Sequence, residues 1–129
     1  MASSKDIAAL QECVVNNLDS SAVGEKRIAG VIGDAPSRYS KSPRLWNAAF
    51  RHLGINATYL PFDVDNVHLG KLLAVLKNSD RFMGINVTVP HKVRVMDYLD
   101  ELDPGAERIR AVNTIVRSPS GQLIGYNTD

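Results

Sequence analysis

Residues 84–92, which read Gly-Ile-Asn-Val-Thr-Val-Pro-His-Lys, combine side chains that can hold a polar ligand and pass a proton to it. β-Branched residues alternate here with Asn86 and Thr88, so the sequence predicts a strand that presents both polar side chains on one face. Pro90 ends the strand and suits the first position of a helix, where its missing N–H costs nothing. Apolar residues at helical spacing predict that this helix continues to about Leu102.

Lys92 would lie in the first turn of that predicted helix. The helix dipole disfavours a cation at this end by about 0.3–1 kcal/mol. A lysine held there releases its proton more readily than a free one, which suits a proton donor in catalysis. The position fits an ordinary solvated surface lysine equally well, so both interpretations stay open on this stretch alone.

Ser40 and Ser42 come just before a second predicted helix. Ser42 followed by Pro43 is the expected N-cap and first-turn pair, and Gly54 is the expected helix terminator. Capping does not explain Ser40, whose hydroxyl should lie beside the same helix end. Two hydroxyls and free backbone N–H groups would form a small anion site, sized for a carboxylate or phosphate. Capping alone is the simpler interpretation of this motif.

The C-terminal residues predict a β-hairpin with strands at 111–117 and 122–127, joined by a Ser-Pro-Ser-Gly loop. This pairing places Asn113 at the same end of the hairpin as Asp129 and the Asn-Thr pair before it. Amides, a hydroxyl and a carboxylate therefore gather at the open end. Polar residues that merely form turns would explain the same pattern.

Strands predicted at 27–33, 56–64 and 84–89 alternate with amphipathic helices. This alternation predicts the α/β class: a three-layer α/β/α domain with a mostly parallel, mixed sheet and the C-terminal β-hairpin. Ligands of such sheets sit beyond the carboxyl ends of the parallel strands. The loops at 40–42 and 88–92 should both open there, which predicts a small, polar, anionic ligand.

Residues 1–25 are predicted to be an N-terminal extension with one helix that ends near positions 19–21, and residues 26–129 to be the domain proper. Residues 34–39 are predicted to be a loop by their composition. Cys13 has no histidine or acid at ligand or triad spacing, so we expect it to be a packing residue or a bystander.

The chain has 129 residues, a formal charge of +1 and a single cysteine. This charge gives no electrostatic case for nucleic acid or a membrane surface as a partner. The lone cysteine and the lack of a signal-peptide pattern or long apolar run predict a cytoplasmic protein. His52, His68 and His91 lack a second ligand at metal spacing, so we expect no metal and predict surface or capping roles for all three.

Four separated segments resemble the substrate domain of the shikimate dehydrogenase family, in the family's order and over roughly residues 27–129. They are Ser40-Lys41-Ser42-Pro43 with Asn47-Ala48-Ala49-Phe50, residues 86–92, Ala111-Val112-Asn113-Thr114, and Gly125-Tyr126-Asn127-Thr128-Asp129.

The resemblance implies an NADP-dependent oxidoreductase of aromatic amino-acid biosynthesis that interconverts 3-dehydroshikimate and shikimate. By this resemblance Ser40 and Ser42 would hold the substrate carboxylate. Lys92 and Asp129 would form the catalytic pair, in which the lysine exchanges a proton with the carbonyl oxygen. The ring hydroxyls would be bound by a further group of side chains, namely Asn86, Thr88, Asn113 and again Asp129.

Three departures from the family pattern surround the expected carboxylate pocket. Tyr39 and Trp46 stand where the family often has histidine, and the loop at 33–36 is one residue longer than usual. Quinate or an amino analogue of shikimate is therefore an alternative ligand.

No Gly-x-Gly-x-x-Gly fingerprint occurs in the sequence, so the residues that bind NADP are expected to lie in a separate domain absent from this chain. We therefore expect this chain to be the substrate-binding half of a longer enzyme and to be inactive alone. The alternative is a stand-alone module that binds shikimate-like hydroxy acids without catalysis.

Overall fold

A computed structural model describes residues 2–129 and contains a six-stranded sheet with the strand order β2-β1-β3-β5-β6-β4. The strands are β1 (Arg27–Gly33), β2 (Ala57–Asp63), β3 (Phe82–Val87), β4 (Glu101–Leu102), β5 (Thr114–Arg117) and β6 (Leu123–Tyr126). β1 pairs in parallel with both β2 and β3, whereas β5 pairs antiparallel with β3 and with β6. The predicted mixed sheet and its C-terminal hairpin are confirmed.

The helices are α1 (Ala2–Gln11), α2 (Ser20–Val23), α3 (Pro36–Tyr39), α4 (Ser42–Leu53), α5 (Leu69–Lys77) and α6 (Pro104–Ile109). The two long amphipathic helices, α4 and α5, lie where the sequence predicted them. Gly54 ends α4 with a φ of 67°, a left-handed conformation that glycine adopts without a steric penalty. The segment predicted to be a loop at 34–39 instead contains the single turn of α3.

The first helix is shorter than its apolar periodicity predicted, because α1 ends at Gln11 and not near positions 19–21. The Gln11 amide turns back on the chain, donating to the Asn16 carbonyl at 2.8 Å and accepting the Leu18 N–H at 2.8 Å. Asn16 in turn donates to the Pro61 carbonyl at 2.9 Å and accepts the Asp63 N–H at 2.9 Å. The segment after α1 therefore satisfies backbone groups on the sheet edge formed by β2, which a continued helix could not do.

The helix predicted from Pro90 to about Leu102 does not form. The chain turns at residues 88–91, where the Val89–Pro90 peptide bond is cis, and continues into a short 3₁₀ helix, Arg94–Tyr98. The next residues form β4, whose pairing with β6 supplies backbone partners that a lone helix end would lack. Tertiary pairing thus overrides the helical spacing of the apolar residues.

The sheet separates two apolar clusters, as expected for three layers. We call the side that bears Ile28, Ile32, Phe62, Ile85 and Ile115 the closed face, because α1 and α5 contribute to its core. The opposite side carries a smaller cluster of Ala29, Val31, Ala57 and Tyr59 packed with Phe50 of α4, and we call it the open face. The polar residues Asn86 and Thr114 alternate with closed-face residues of β3 and β5, so they also lie on the open face.

The segment before β1 contributes to the closed-face core. Ile7 and Leu10 of α1, together with Cys13 and Val23, are buried in the same cluster as the strand residues. The prediction that Cys13 is a packing residue is confirmed. Within residues 2–129, this N-terminal segment packs as part of the domain core.

Candidate functional site

The loops after β1 and β3 meet at the carboxyl edge of the parallel strands, as the sequence predicted. The Thr88 N–H donates to the Ile32 carbonyl at 2.8 Å, and the Asp34 N–H donates to the Val89 carbonyl at 3.2 Å. Gly33 allows this approach, because a Cβ at that position would lie 2.5 Å from Cγ2 of Thr88. The close contact brings the serine loop and the lysine loop to one place.

Ser40 and Ser42 lie at the N-terminal end of α4, but their local roles differ from the prediction. The helix begins at Ser42, and the preceding Lys41 makes no side-chain cap. Ser40 Oγ accepts the Ser42 N–H at 3.2 Å, so Ser40 satisfies the helix end that Ser42 was expected to cap. The Ser42 hydroxyl instead acts on the phenol of Tyr59, whose pKa it lowers. Both serines are half-buried, beside a helix end that attracts anions.

The buried carboxylate of Asp63 anchors the short helix α3, which ends just before Ser40. Asp63 is 6% exposed at the end of β2, accepts the Ser37 N–H at 2.9 Å, and also accepts the Ser37 hydroxyl. These bonds occupy the first turn of α3, whose first residue is Pro36 and so offers no N–H. The end of α3 is therefore closed to a second anion.

Lys92 follows the turn at 88–91 and is not in the first turn of a helix, so the argument from the helix dipole does not apply to it. The turn is closed by the His91 N–H, which donates to the Thr88 carbonyl at 3.1 Å. The Lys92 carbonyl accepts the Val112 N–H at 2.8 Å, which anchors its backbone to the segment that enters β5. Its side chain is 38% exposed at the edge of the sheet.

His91 was predicted to be a surface or capping histidine, and this prediction is wrong. The residue is 1% exposed, and its Nε2 lies 2.7 Å from the Val64 carbonyl oxygen. Because a carbonyl can only accept, Nε2 carries the proton. Nδ1 is buried without a hydrogen-bond partner among residues 2–129. The imidazole ties the turn before Lys92 to the end of β2.

The open end of the hairpin is organised around Asn113. Its Nδ2 donates to Thr128 Oγ1 at 3.0 Å, and its Oδ1 accepts the Thr128 N–H at 3.1 Å and the Thr114 hydroxyl at 2.9 Å. Asn127 donates to the Ala111 carbonyl at 3.1 Å. These bonds hold the residues after β6 beside the start of β5, as the predicted pairing required.

Lys92 and Asp129 come together at this end of the hairpin. Lys92 Nζ lies 3.8 Å from Asp129 Oδ2, and the two side chains are 38% and 73% exposed. An ion pair this exposed contributes little to stability, typically about 0–1 kcal/mol. Both groups are therefore accessible to a small ligand that enters the same edge of the sheet.

Tyr59 connects α4, through Trp46 stacked on its ring, to the amide end of the site. Its phenol donates to Asn86 Oδ1 at 2.7 Å, and Asn86 Nδ2 lies 3.4 Å from Thr114 Oγ1. Burial raises the pKa of Tyr59 to about 12, while the Ser42 hydroxyl acts in the opposite direction. The phenol thus keeps its proton, and with it its role as a donor, well above neutral pH.

The family model of the shikimate dehydrogenase substrate binding domain matches residues 31–115. The chain belongs to this family. A shikimate dehydrogenase (NADP(+)) of Lysinibacillus sphaericus is 49% identical over 104 residues, which are 81% of this chain and 37% of that protein. The domain thus spans little more than a third of the length of the curated relatives it matches.

Solved structures of relatives have the same fold as this domain. The shikimate 5-dehydrogenase of Listeria monocytogenes in complex with shikimate and NAD gives a TM-score of 0.75 at 34% identity, covering 90% of this chain and 38% of that one. The ligand-free 5-ketofructose reductase of Gluconobacter sp. strain CHM43 gives a TM-score of 0.75 at 30% identity, covering 81% of this chain and 37% of that one. Related structures therefore include a dehydrogenase and a reductase that are named for different substrates.

Three residues that organise the site in this family member were missed in the sequence. Asp63 and Tyr59 were interpreted only as parts of a strand, and His91 as a surface residue. For Tyr59 a signal was present, because a phenol on the buried side of a strand needs a hydrogen-bond partner. Nothing in the sequence indicated the burial of His91, which depends on where β2 ends.

The described part of the domain offers no cluster of three or more histidine, cysteine or acidic residues suited to a metal ion. None of the helices in the same range has both the length and the apolar character needed to cross a membrane.

Proposed function

We propose that this domain is the substrate-binding and catalytic half of an NADP-dependent shikimate dehydrogenase, which interconverts 3-dehydroshikimate and shikimate. The main support is the meeting of Lys92 and Asp129, 3.8 Å apart, at an edge that also carries paired serines and amides. The names of the matched relatives point the same way.

In this proposal the substrate carboxylate binds at the start of α4. The hydroxyls of Ser40 and Ser42 donate to it, and the positive end of the helix dipole favours its charge. The Ser40 hydroxyl can donate its proton to the carboxylate while its oxygen still accepts the Ser42 N–H, 3.2 Å away.

The ring hydroxyls bind at the amide end. Asn86, Thr88 and Asn113 offer donors and acceptors that can match a hydroxyl, and the carboxylate of Asp129 can accept from one. Several polar groups that converge on one ligand reject analogues that lack the matching hydroxyl, because a buried polar group would be left unpaired.

Lys92 moves the proton. When the substrate ketone is reduced, its ammonium donates to the carbonyl oxygen as negative charge develops there, and in the reverse direction its amine takes the hydroxyl proton. Asp129 holds the lysine head at the substrate through the ion pair. A proton donor of this kind typically contributes about 10²–10⁴-fold to the rate.

The residues described here do not fit the phosphates of a dinucleotide. In dinucleotide-binding folds the pyrophosphate sits at the helix that follows the first strand. In this domain that helix is α3, where Asp63 already bonds to Ser37 and Pro36 lacks an N–H. The proposal therefore assigns NADP to residues beyond these 129, and the chemistry of this chain is confined to the substrate.

The first test is the turnover of shikimate by the complete natural gene product with Lys92→Ala. We expect kcat to fall about 10²–10⁴-fold with little change in substrate affinity, because the lysine acts on the transferred proton. Lys71→Ala is the matched control, since Lys71 pairs with Glu12 on the surface. Near-normal turnover of Lys92→Ala would refute the assigned role.

The second test is shikimate binding to this chain, followed by calorimetry. The double variant Ser40→Ala with Ser42→Ala should lose most of the affinity, whereas Ser120→Ala in the exposed hairpin loop should not. Binding by the complete gene product without any turnover would favour the binding-module alternative. Tighter binding of quinate or a keto sugar than of shikimate would correct the ligand and leave the site in place.

A further inference from the structure

Tyr59 lies in the middle of β2, far along the chain from the loops that form the site. It is 3% exposed, and its ring stacks on Trp46 with centroids 5.8 Å apart and an interplanar angle of 6°. Its backbone is held as well, because the Asn47 side chain bonds to both the N–H and the carbonyl of Tyr59. The ring therefore has one defined position, with its hydroxyl directed across the open face.

The hydroxyl reaches Asn86 across β1. Tyr59 is paired with Ala29 in the register of β1 and β2, and the small alanine side chain leaves room on this face. The phenol has one proton, which it donates to Asn86 Oδ1 at 2.7 Å. Its oxygen remains free to accept.

This contact fixes which way the Asn86 amide points. An asparagine amide can rotate by about half a turn and exchange its oxygen and nitrogen, since both ends have similar size. The phenol proton favours the orientation with Oδ1 toward Tyr59, because in the other orientation this proton would lose its acceptor. Nδ2 is left with only a 3.4 Å contact to Thr114 Oγ1, near the limit of a hydrogen bond.

We propose that Tyr59 is a positioning residue that orients the Asn86 amide so that Nδ2 is the group offered to a ligand oxygen. This inference rests on the proposed function for the identity of the ligand. The orientation of the amide itself does not depend on that identity.

The sharpest variant is Tyr59→Phe, which keeps the ring stacked on Trp46 and removes only the hydroxyl. Without the phenol proton the Asn86 amide can adopt both orientations, so the affinity for shikimate should fall about tenfold, the scale of one well-placed hydrogen bond. Tyr98→Phe on the 3₁₀ helix is the matched control and should bind like the wild type. Tyr98 is 40% exposed and outside the site.

A double-mutant cycle separates positioning from general structure. Shikimate affinity is measured for the wild-type chain, Tyr59→Phe, Asn86→Ala and the double variant. We expect Tyr59→Phe to weaken binding about tenfold in the wild-type background and by less than about twofold once Asn86 is alanine. The same loss in both backgrounds would overturn the proposal, because Tyr59 would then act without Asn86.

A measurement without ligand distinguishes failure of this inference from failure of the proposed function. The side-chain amide resonances of Asn86 are recorded by NMR in the wild-type chain, Tyr59→Phe and Tyr98→Phe. They should shift in Tyr59→Phe only, and unchanged resonances would overturn the positioning role whatever the ligand is. Shifted resonances, together with near-normal turnover of the complete enzyme with Lys92→Ala, would support the positioning role and refute the proposed function.

Discussion

The two faces of the sheet are built from the same strands but carry different interactions: apolar packing on the closed face, and hydrogen bonds between polar side chains on the open face. On the closed face, Ile85 and Val87 of β3 are each 3% exposed in a continuous apolar core. Between them on the open face, Asn86 is hydrogen-bonded to Tyr59. That face also has a trough of about 270 Å³, lined by Trp46, Met83 and Val116 among others.

This difference separates a face that supplies apolar burial from a face on which we propose that a ligand is recognised. Apolar burial is non-directional and scales with the area removed from water, so the closed face depends on volume and tolerates conservative exchange. Hydrogen bonds on the open face depend on which atom donates, so an isosteric change there can disturb a ligand contact and leave the fold intact. Three predictions test this division, in order of decreasing effect on stability.

Phe62→Ala on the closed face should lower the free energy of unfolding by about 3–5 kcal/mol, because the ring is fully buried and its removal leaves a cavity. Chemical denaturation measures this loss. Shikimate affinity of the fraction that remains folded should stay within about twofold of the wild type, well below the effect of one lost hydrogen bond. Val67→Ala, at a residue that is 85% exposed, is the control. A large loss of affinity in folded Phe62→Ala would contradict the separation of the two faces.

His91→Ala should lower the free energy of unfolding by about 1–3 kcal/mol, because the buried Val64 carbonyl loses its donor. The turn that precedes Lys92 loses the same anchor, so the turnover of the complete enzyme should also fall. The exposed His52 provides the control variant His52→Ala, which should change neither quantity. A change in stability below about 0.5 kcal/mol, the lower bound for one hydrogen bond, would mean that the carbonyl finds another partner.

Tyr59→Phe should lower the free energy of unfolding at neutral pH by only about 0.5–1.5 kcal/mol, the typical worth of one hydrogen bond. The substitution should also change how the free energy of unfolding depends on pH. Tyr59 has a pKa of about 12 in the folded chain, whereas an unfolded tyrosine titrates near about 10. The contribution of the protonated Tyr59 phenol to the free energy of unfolding is therefore fully present below pH ~10 and is lost as the pH rises toward ~12.

Denaturation of the wild type and of Tyr59→Phe between pH 8 and pH 12, a range of about four units that brackets both pKa values, checks this prediction. Partial burial, with a hydrogen bond to Asp34, also raises the pKa of Tyr39, so both proteins lose stability through that residue. The wild type should show an additional alkaline loss that Tyr59→Phe lacks. Parallel curves for the two proteins would show that the phenol is not held as described.

Much of the fold could be predicted because hydrophobic periodicity and helix-end residues act locally. The short buried apolar run of β1, the alternation in β3, the leucine stripe of α5 and the Gly54 terminator of α4 each specify an element within about a dozen residues. The wrong predictions concern segments whose structure depends on contacts with residues far along the chain. α1 stops at Gln11 because Asn16 bonds to β2, and Glu101–Leu102 is a strand because β6 lies beside it.

The sequence by itself determined the composition of the site. It placed the serine pair, the polar strand residues and Lys92 in loops that parallel strands bring to one edge, and it placed Asn113 beside the residues that lead to Asp129 through the hairpin. These conclusions need only strand direction and register, which alternation and turn residues encode.

Only the tertiary structure decided how those side chains are held. It buried His91 against Val64, gave the helix-end contact to Ser40, and brought the Tyr59 hydroxyl to Asn86 across a strand between them. The physical reason is that a hydrogen bond is made over about 3 Å between atoms whose residues can be far apart in the chain. Such distances depend on how the layers of the domain pack, so no local sequence pattern predicts them.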